Sequence, residues 1–189
     1  MRQTPNSSDE SSHRRMKLRD LVLFAIALIV LVADQASKAW AIENIPLNTT
    51  YNIFPPPLGD WFVLTHITNS GAAFGLFPQL SIVFTFVALI VSVVIVAYYR
   101  SIPAGQWIVR LSLGMQLGGA MGNLIDRLRF GAVTDLLYVR PFPVFNIADA
   151  SIVTGVGLLM FHLWRTSPKT EAQPAPMDSP DEMKSAGND

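Results

Sequence analysis

The chain has 189 residues, half of them hydrophobic and only 15% charged, where a soluble domain carries about 25% charged residues. Fourteen Lys and Arg balance fourteen Asp and Glu, so nothing in the charge suggests a nucleic-acid partner. Cys is absent and the three His are scattered, which excludes disulfides and thiolate nucleophiles and argues against a metal site.

In chain order the first element is a polar tail, residues 1–17, read as disordered and cytoplasmic. A membrane domain over residues 18–166 follows, and a second polar tail occupies 167–189. Four apolar runs match the roughly 20 residues a spanning helix needs: Leu21 to Ile42, Leu80 to Tyr99, Ile108 to Ile125 and Ile147 to Trp164. In hydrocarbon the backbone must satisfy its own hydrogen bonds, so each run is expected as a helix. A soluble four-helix bundle is the competing reading, but surface helices would need a polar stripe that these runs lack. The first run is long and lacks an Ala-x-Ala-like exit, so it reads as an uncleaved anchor.

Between the first two runs lie residues 43–79, with Pro55-Pro56-Pro57 marking an irregular connection. Asp60 to Thr68 is rich in β-branched and aromatic residues and reads as a strand, ended by a turn at Asn69-Ser70-Gly71. The expected fold is therefore an all-α integral membrane protein of four helices. It carries a small extracytoplasmic β-sheet cradle and a short extracytoplasmic segment between the third and fourth helices. Trp40 and Trp61 are placed as interfacial anchors. His66 reads as a strand residue and not a ligand, since no second His lies nearby. Gly114, Gly118 and Gly122 share one face of the third helix and suit close helix packing.

Ten of the fourteen basic residues fall before the first run, between the second run and the start of the third (Arg100 and Arg110), or after the fourth; Lys38, Arg127, Arg129 and Arg140 do not. The positive-inside rule then puts both termini in the cytoplasm and the longer loops outside.

Charge near a bilayer is costly, so its position is informative. Asp34 and Lys38 are four apart and can pair on one helix face, which reads as structural support. Asn123, Asp126, Arg127, Asp135, Asn146 and Asp149 crowd the segment joining the last two runs. Pro141 and Pro143 prevent a continuous helix there, so the chain can reverse and bring Asp135 to Asp149. Two carboxylates in one site share a proton and can act as acid and base on one water. A small transporter or proton-relay protein using the same acids is the alternative, although its acids would sit nearer the midplane.

Five motifs run in order: Asp34-Gln35-Ala36-Ser37-Lys38, Asn69-Ser70-Gly71-Ala72-Ala73-Phe74, Gly118 to Arg127, Gly131 to Asp135, and Phe145-Asn146-Ile147-Ala148-Asp149. With them the chain closely resembles the lipoprotein signal peptidases, the signal peptidase II family of bacterial membrane aspartyl proteases, over roughly residues 18–166. The resemblance implies a catalytic pair of Asp135 and Asp149, with Asn69, Asn123, Arg127 and Asn146 binding substrate or bracing the pair. It implies structural support from Asp34, Lys38, Asp126 and Ala148, with Asp126 holding its neighbour Arg127. It further implies a diacylglyceryl-modified prolipoprotein as substrate, cut just before the lipidated Cys in the bacterial inner membrane among its lipids. No cofactor or metal is implied, and cyclic peptides of the globomycin type are the implied inhibitors. Two departures stand out: Leu136-Leu137 where members often carry a bulky aromatic, and a short connection from Asp135 to Asp149.

Overall fold

In the computed structural model, residues 7–70 and 80–167 are described. Residues Gly71 to Phe74 of the second motif, and the tails 1–6 and 168–189, lie outside them. Helix α1 (Ser7–Asn44) begins eleven residues before the end of the expected tail, so its first turns come from polar sequence. Strands β1 (Thr50–Tyr51) and β2 (Phe62–Asn69) follow, then α2 (Leu80–Tyr98), which contains no charged residue. Next come α3 (Trp107–Phe130), β3 (Val133–Val139) and α4 (Ile147–Thr166).

Three helical segments are long and apolar enough to cross a membrane: Leu21–Asn44, Ser81–Ser101 and Ile147–Thr166. Their exposed faces are almost continuous aliphatic and aromatic surface, including Ile29, Ile82, Phe86, Ile90, Val153 and Met160, far more than a protein in water leaves uncovered. The fourth expected span, α3, is long enough but not among them. It packs against α1, α2 and α4, and a helix clothed by protein has no need of a fully apolar surface. It also runs past the expected end at Ile125 to Phe130, which puts Asp126 and Arg127 inside the helix. Gly131, at a left-handed φ of 74°, ends it.

Glycine lets the backbones meet. A Cβ on Gly118 would lie 2.5 Å from the Ala27 carbonyl oxygen of α1, and one on Gly119 would lie 2.5 Å from the Ala148 carbonyl oxygen of α4. Gly118→Leu therefore forces α1 off α3 and is expected to cost about 3 kcal/mol or more. The check is the thermal midpoint in detergent, which should fall steeply; an unchanged midpoint would mean the two helices do not touch there.

The sheet is antiparallel in the order β1-β2-β3. The sequence pattern predicts β2; β3 lies in the segment expected to be a short connection between the third and fourth helices. β2 and β3 pair from Phe62↔Val139 to Asn69↔Val133, with an irregularity between Leu64 and Ile67. His66, at that irregularity, binds the Ile45 carbonyl through Nδ1 at 2.9 Å, as expected of a strand residue. Leu136 is buried with Ala41 and Ile45, which anchors β3 to the end of α1.

Candidate active site

A buried cation ties the helices together. The Lys38 ammonium has three N–H groups, and each finds one acceptor: Asp34 Oδ2 at 2.8 Å, Asp126 Oδ2 at 3.0 Å and Asn123 Oδ1 at 3.0 Å. Asp34, Lys38 and Asp126 are all at most 2% exposed. The second oxygen of Asp34 accepts the Ala148 N–H at 2.9 Å, one of the amides that the start of α4 cannot satisfy internally. Asp126 also accepts the Thr134 N–H and Gln35 Nε2, each at 3.0 Å. One ion cluster thus links α1, α3, β3 and α4.

Asp126 does not hold Arg127, as the sequence had suggested. Consecutive helical residues do not face each other, so Asp126 turns inward to Lys38 while Arg127 lies over the Phe84 ring, 5.6 Å from its centroid. Asp34 and Lys38 pair within α1, which continues to Asn44. Gln35, a Gln within an apolar run, has to find partners, and it finds Asp126, the Gly122 carbonyl and Asp34.

The second layer of the site is built by the sheet. Asp135 opposes Ile67 and Asn69 opposes Val133, so Asn69 and Asp135 are diagonal neighbours on one face. Asn69 Nδ2 donates to Asp135 Oδ2 at 2.9 Å. After β3 the chain turns back and Phe145 bridges Leu137 through paired backbone bonds of 2.8 and 2.9 Å. That return delivers Asn146 beside Asp135, where its Nδ2 donates to Oδ1 at 2.8 Å. The short connection noted in the sequence is this tight return.

Asn146 is also the N-cap of α4. Its Oδ1 accepts the Asp149 N–H at 2.9 Å, and Asp149 Oδ2 accepts the Asn146 N–H at 3.4 Å, a reciprocal capping arrangement. The other oxygen of Asp149 accepts Asn123 Nδ2 at 2.7 Å. Because Lys38 holds the Asn123 oxygen, the amide nitrogen has to point at Asp149. Asp135 and Asp149 are therefore brought together through Asn146, each oriented by its own Asn. Of the site residues named from the sequence, Arg127 stands apart from this network and touches it at the Asn123 carbonyl at 3.5 Å.

Burial pushes the Asp135 carboxyl up to about 6, the neighbouring Asp149 adds to the rise, and the Asn69 and Asn146 donors oppose it without prevailing. A cavity of about 390 Å³ opens beside Asp149, the member of the pair that lines it. Asn69, Asn123, Arg127 and Asp149 form its polar end, and Phe84 and Val91 belong to its apolar part. Arg127 Nε is buried there with no hydrogen-bond partner among the described residues. Among the described residues no three His, Cys, Asp or Glu side chains are grouped as a metal ion would require.

The sequence profile described as Signal peptidase (SPase) II matches residues 26–165. The lipoprotein signal peptidase of Moorella thermoacetica is 47% identical over 138 residues, covering 73% of this chain and 89% of that protein. The lipoprotein signal peptidase of Syntrophotalea carbinolica is 36% identical over 165 residues, covering 83% of this chain and all of its own length (100%). A solved bacterial membrane enzyme structure superposes with a TM-score of 0.70 at 27% identity, covering 80% of this chain and 93% of that one.

Proposed function

The chain belongs to the signal peptidase II family, a family of membrane proteases that process lipoproteins, and from that premise we propose that Asp135 and Asp149 form its catalytic pair. The observation that carries this reading is the shared bracing of two carboxylates by Asn146, beside a cavity with an apolar part. The substrate is a diacylglyceryl-modified prolipoprotein, cut on the N-terminal side of its lipidated Cys. Its lipid stays among membrane lipids while the peptide bond reaches the pair.

The two acids are not equivalent. Asp135, raised to about 6, is suited to hold the proton. Asp149 lies in the first turn of α4, at the end of the helix where the dipole favours negative charge. Asp149 takes a proton from water as the hydroxide adds to the scissile carbonyl, and Asp135 gives its proton to the carbonyl oxygen. Collapse of the tetrahedral diol returns a proton to Asp135, while Asp149 protonates the departing Cys amine. The products are a signal-peptide carboxylate and a lipoprotein with a free N-terminal amine. Arg127 Nε, unpartnered in the cavity, donates to a substrate backbone carbonyl. Cyclic peptides of the globomycin type inhibit by filling the same cleft. The deciding experiment supplies the purified protein with a diacylglyceryl-modified lipobox peptide and its unmodified counterpart: the first is cut and the second is not. No cleavage of either would favour a transporter.

In the membrane, α3 makes the fourth passage, since the other three helices screen its polar residues from lipid. Both termini face the cytoplasm, and the sheet lies at the outer surface with exposed Trp40 and Trp61 at the interface. Reporter fusions after Ile53 and Pro141 should read outside and one after Arg100 inside; any reversal sinks this topology.

A further inference from the structure

Among the described residues, two buried side-chain nitrogens have no hydrogen-bond partner, Arg127 Nε and Gln116 Nε2, and both residues line the same cavity. Arg127 stands at the polar end, where a peptide bond would be cut. Gln116 does not. It lies seven residues before Asn123 on α3, about 10 Å along the axis at 1.5 Å per residue. Residues 116, 120, 123 and 127 fall on one face of α3, and all four line the cavity. Gln116 is thus set away from the polar end, in a cleft whose apolar lining includes Val91 and Ile152. Its Cγ packs where Gly155 of α4 leaves room, which fixes the stem.

An amide nitrogen left unpaired in such surroundings costs free energy in the empty protein. It would find no solvent in hydrocarbon to replace a partner. We propose that Gln116 is a specificity-determining residue whose Nε2 donates to a carbonyl oxygen of the bound substrate, deep in the cleft. The proposal rests on the peptidase reading above. A substrate chain must be extended at its cleavage site, and every extended residue in a bilayer exposes a carbonyl that its own helix no longer satisfies. At about 3.3 Å per residue, a carbonyl roughly three residues before the scissile bond reaches the level of Gln116. The glyceryl esters carried by the Cys present the same acceptor chemistry. Gln116 offers either oxygen a donor, and an unpaired donor that binding satisfies favours the carbonyl-bearing ligand over one that lacks it.

The test compares the full-length protein with Gln116→Leu on two peptides: the diacylglyceryl-modified lipobox peptide and its dialkyl ether analogue, which lacks ester carbonyls. Gln116→Leu is expected to raise KM five- to tenfold on the ester-linked peptide and to leave kcat within twofold, by roughly the loss of one neutral hydrogen bond. The thermal midpoint of the empty variant should hold or rise, because an unpaired polar atom has been removed. A merely structural Gln116 would do the opposite, lowering the midpoint without a selective rise in KM. Persistence of the KM penalty on the ether analogue assigns the contact to a peptide carbonyl, and its disappearance assigns it to a lipid ester. An unchanged KM on both peptides overturns the proposal while leaving the peptidase reading intact. Failure of the unsubstituted protein to cut the lipidated peptide overturns both.

Discussion

Asp135→Asn and Asp149→Asn should each lower kcat on a lipidated substrate by about 10³-fold or more, with the protein still folded. Neither variant can share a proton between two carboxylates, so losing one partner should cost about as much as losing both. The rate should follow a bell-shaped pH profile whose limbs belong to the pair. Stability should move the other way for Asp135→Asn. Its carboxyl is raised to about 6 by burial, so the stability Asp135 contributes is complete below about pH 4 and lost as pH rises through about 6. The Asn variant never ionises and escapes that loss. Between pH 4 and 7.5 the comparison should therefore shift in its favour by up to about 3 kcal/mol. Against this stands one donor, from Asn69 or Asn146, that meets an amide nitrogen where it had an oxygen, a penalty of about 1–3 kcal/mol at every pH. Thermal midpoints of both proteins across that range check the shift. A constant difference would mean Asp135 does not titrate there.

Lys38→Met should be the most destructive single change away from the pair. It keeps the apolar stem but leaves Asp34 and Asp126 as buried carboxylates with no cation. Removing one partner of a buried ion pair costs about 3–5 kcal/mol, a large share of a marginal stability. It also takes away the shorter of two donors to the Asn123 oxygen and leaves only Asn146 Nδ2 at 3.2 Å, so the amide that holds Asp149 is less firmly oriented. Folded yield in detergent should collapse. Combining Lys38→Met with Asp126→Asn removes one of the stranded charges and should recover part of that yield, which marks the two sites as coupled. A double variant no better than Lys38→Met would mean that repulsion between the stranded carboxylates is not the source of the damage.

Much of this architecture was legible in the sequence because hydrocarbon imposes a strict rule. Runs of about 20 apolar residues have to be helices, and α1, α2 and α4 follow. The Asp34–Lys38 pair was readable from its i,i+4 spacing, and the glycines of α3 from their shared face. What escaped notice depends on contacts distant in sequence. β3 reads Val-Thr-Asp-Leu-Leu-Tyr-Val, an adequate strand by composition, but its partner β2 is more than 60 residues away. Asp126 was matched to its sequence neighbour Arg127, whereas helical geometry sends it to Lys38, 88 positions earlier. The role of Asn146 in linking the two acids follows from the return of the chain onto Leu137, which no local pattern announces.

The assignment of Asp135 and Asp149, and not Asp126, is the claim on which the mechanism depends. Single-turnover cleavage of a diacylglyceryl-modified lipobox peptide by Asp126→Asn, Asp135→Asn and Asp149→Asn tests it directly. No cleavage is expected from the Asp135 and Asp149 variants, and retained turnover in whatever fraction of Asp126→Asn folds. Substantial cleavage by Asp135→Asn, together with none by well-folded Asp126→Asn, would contradict it.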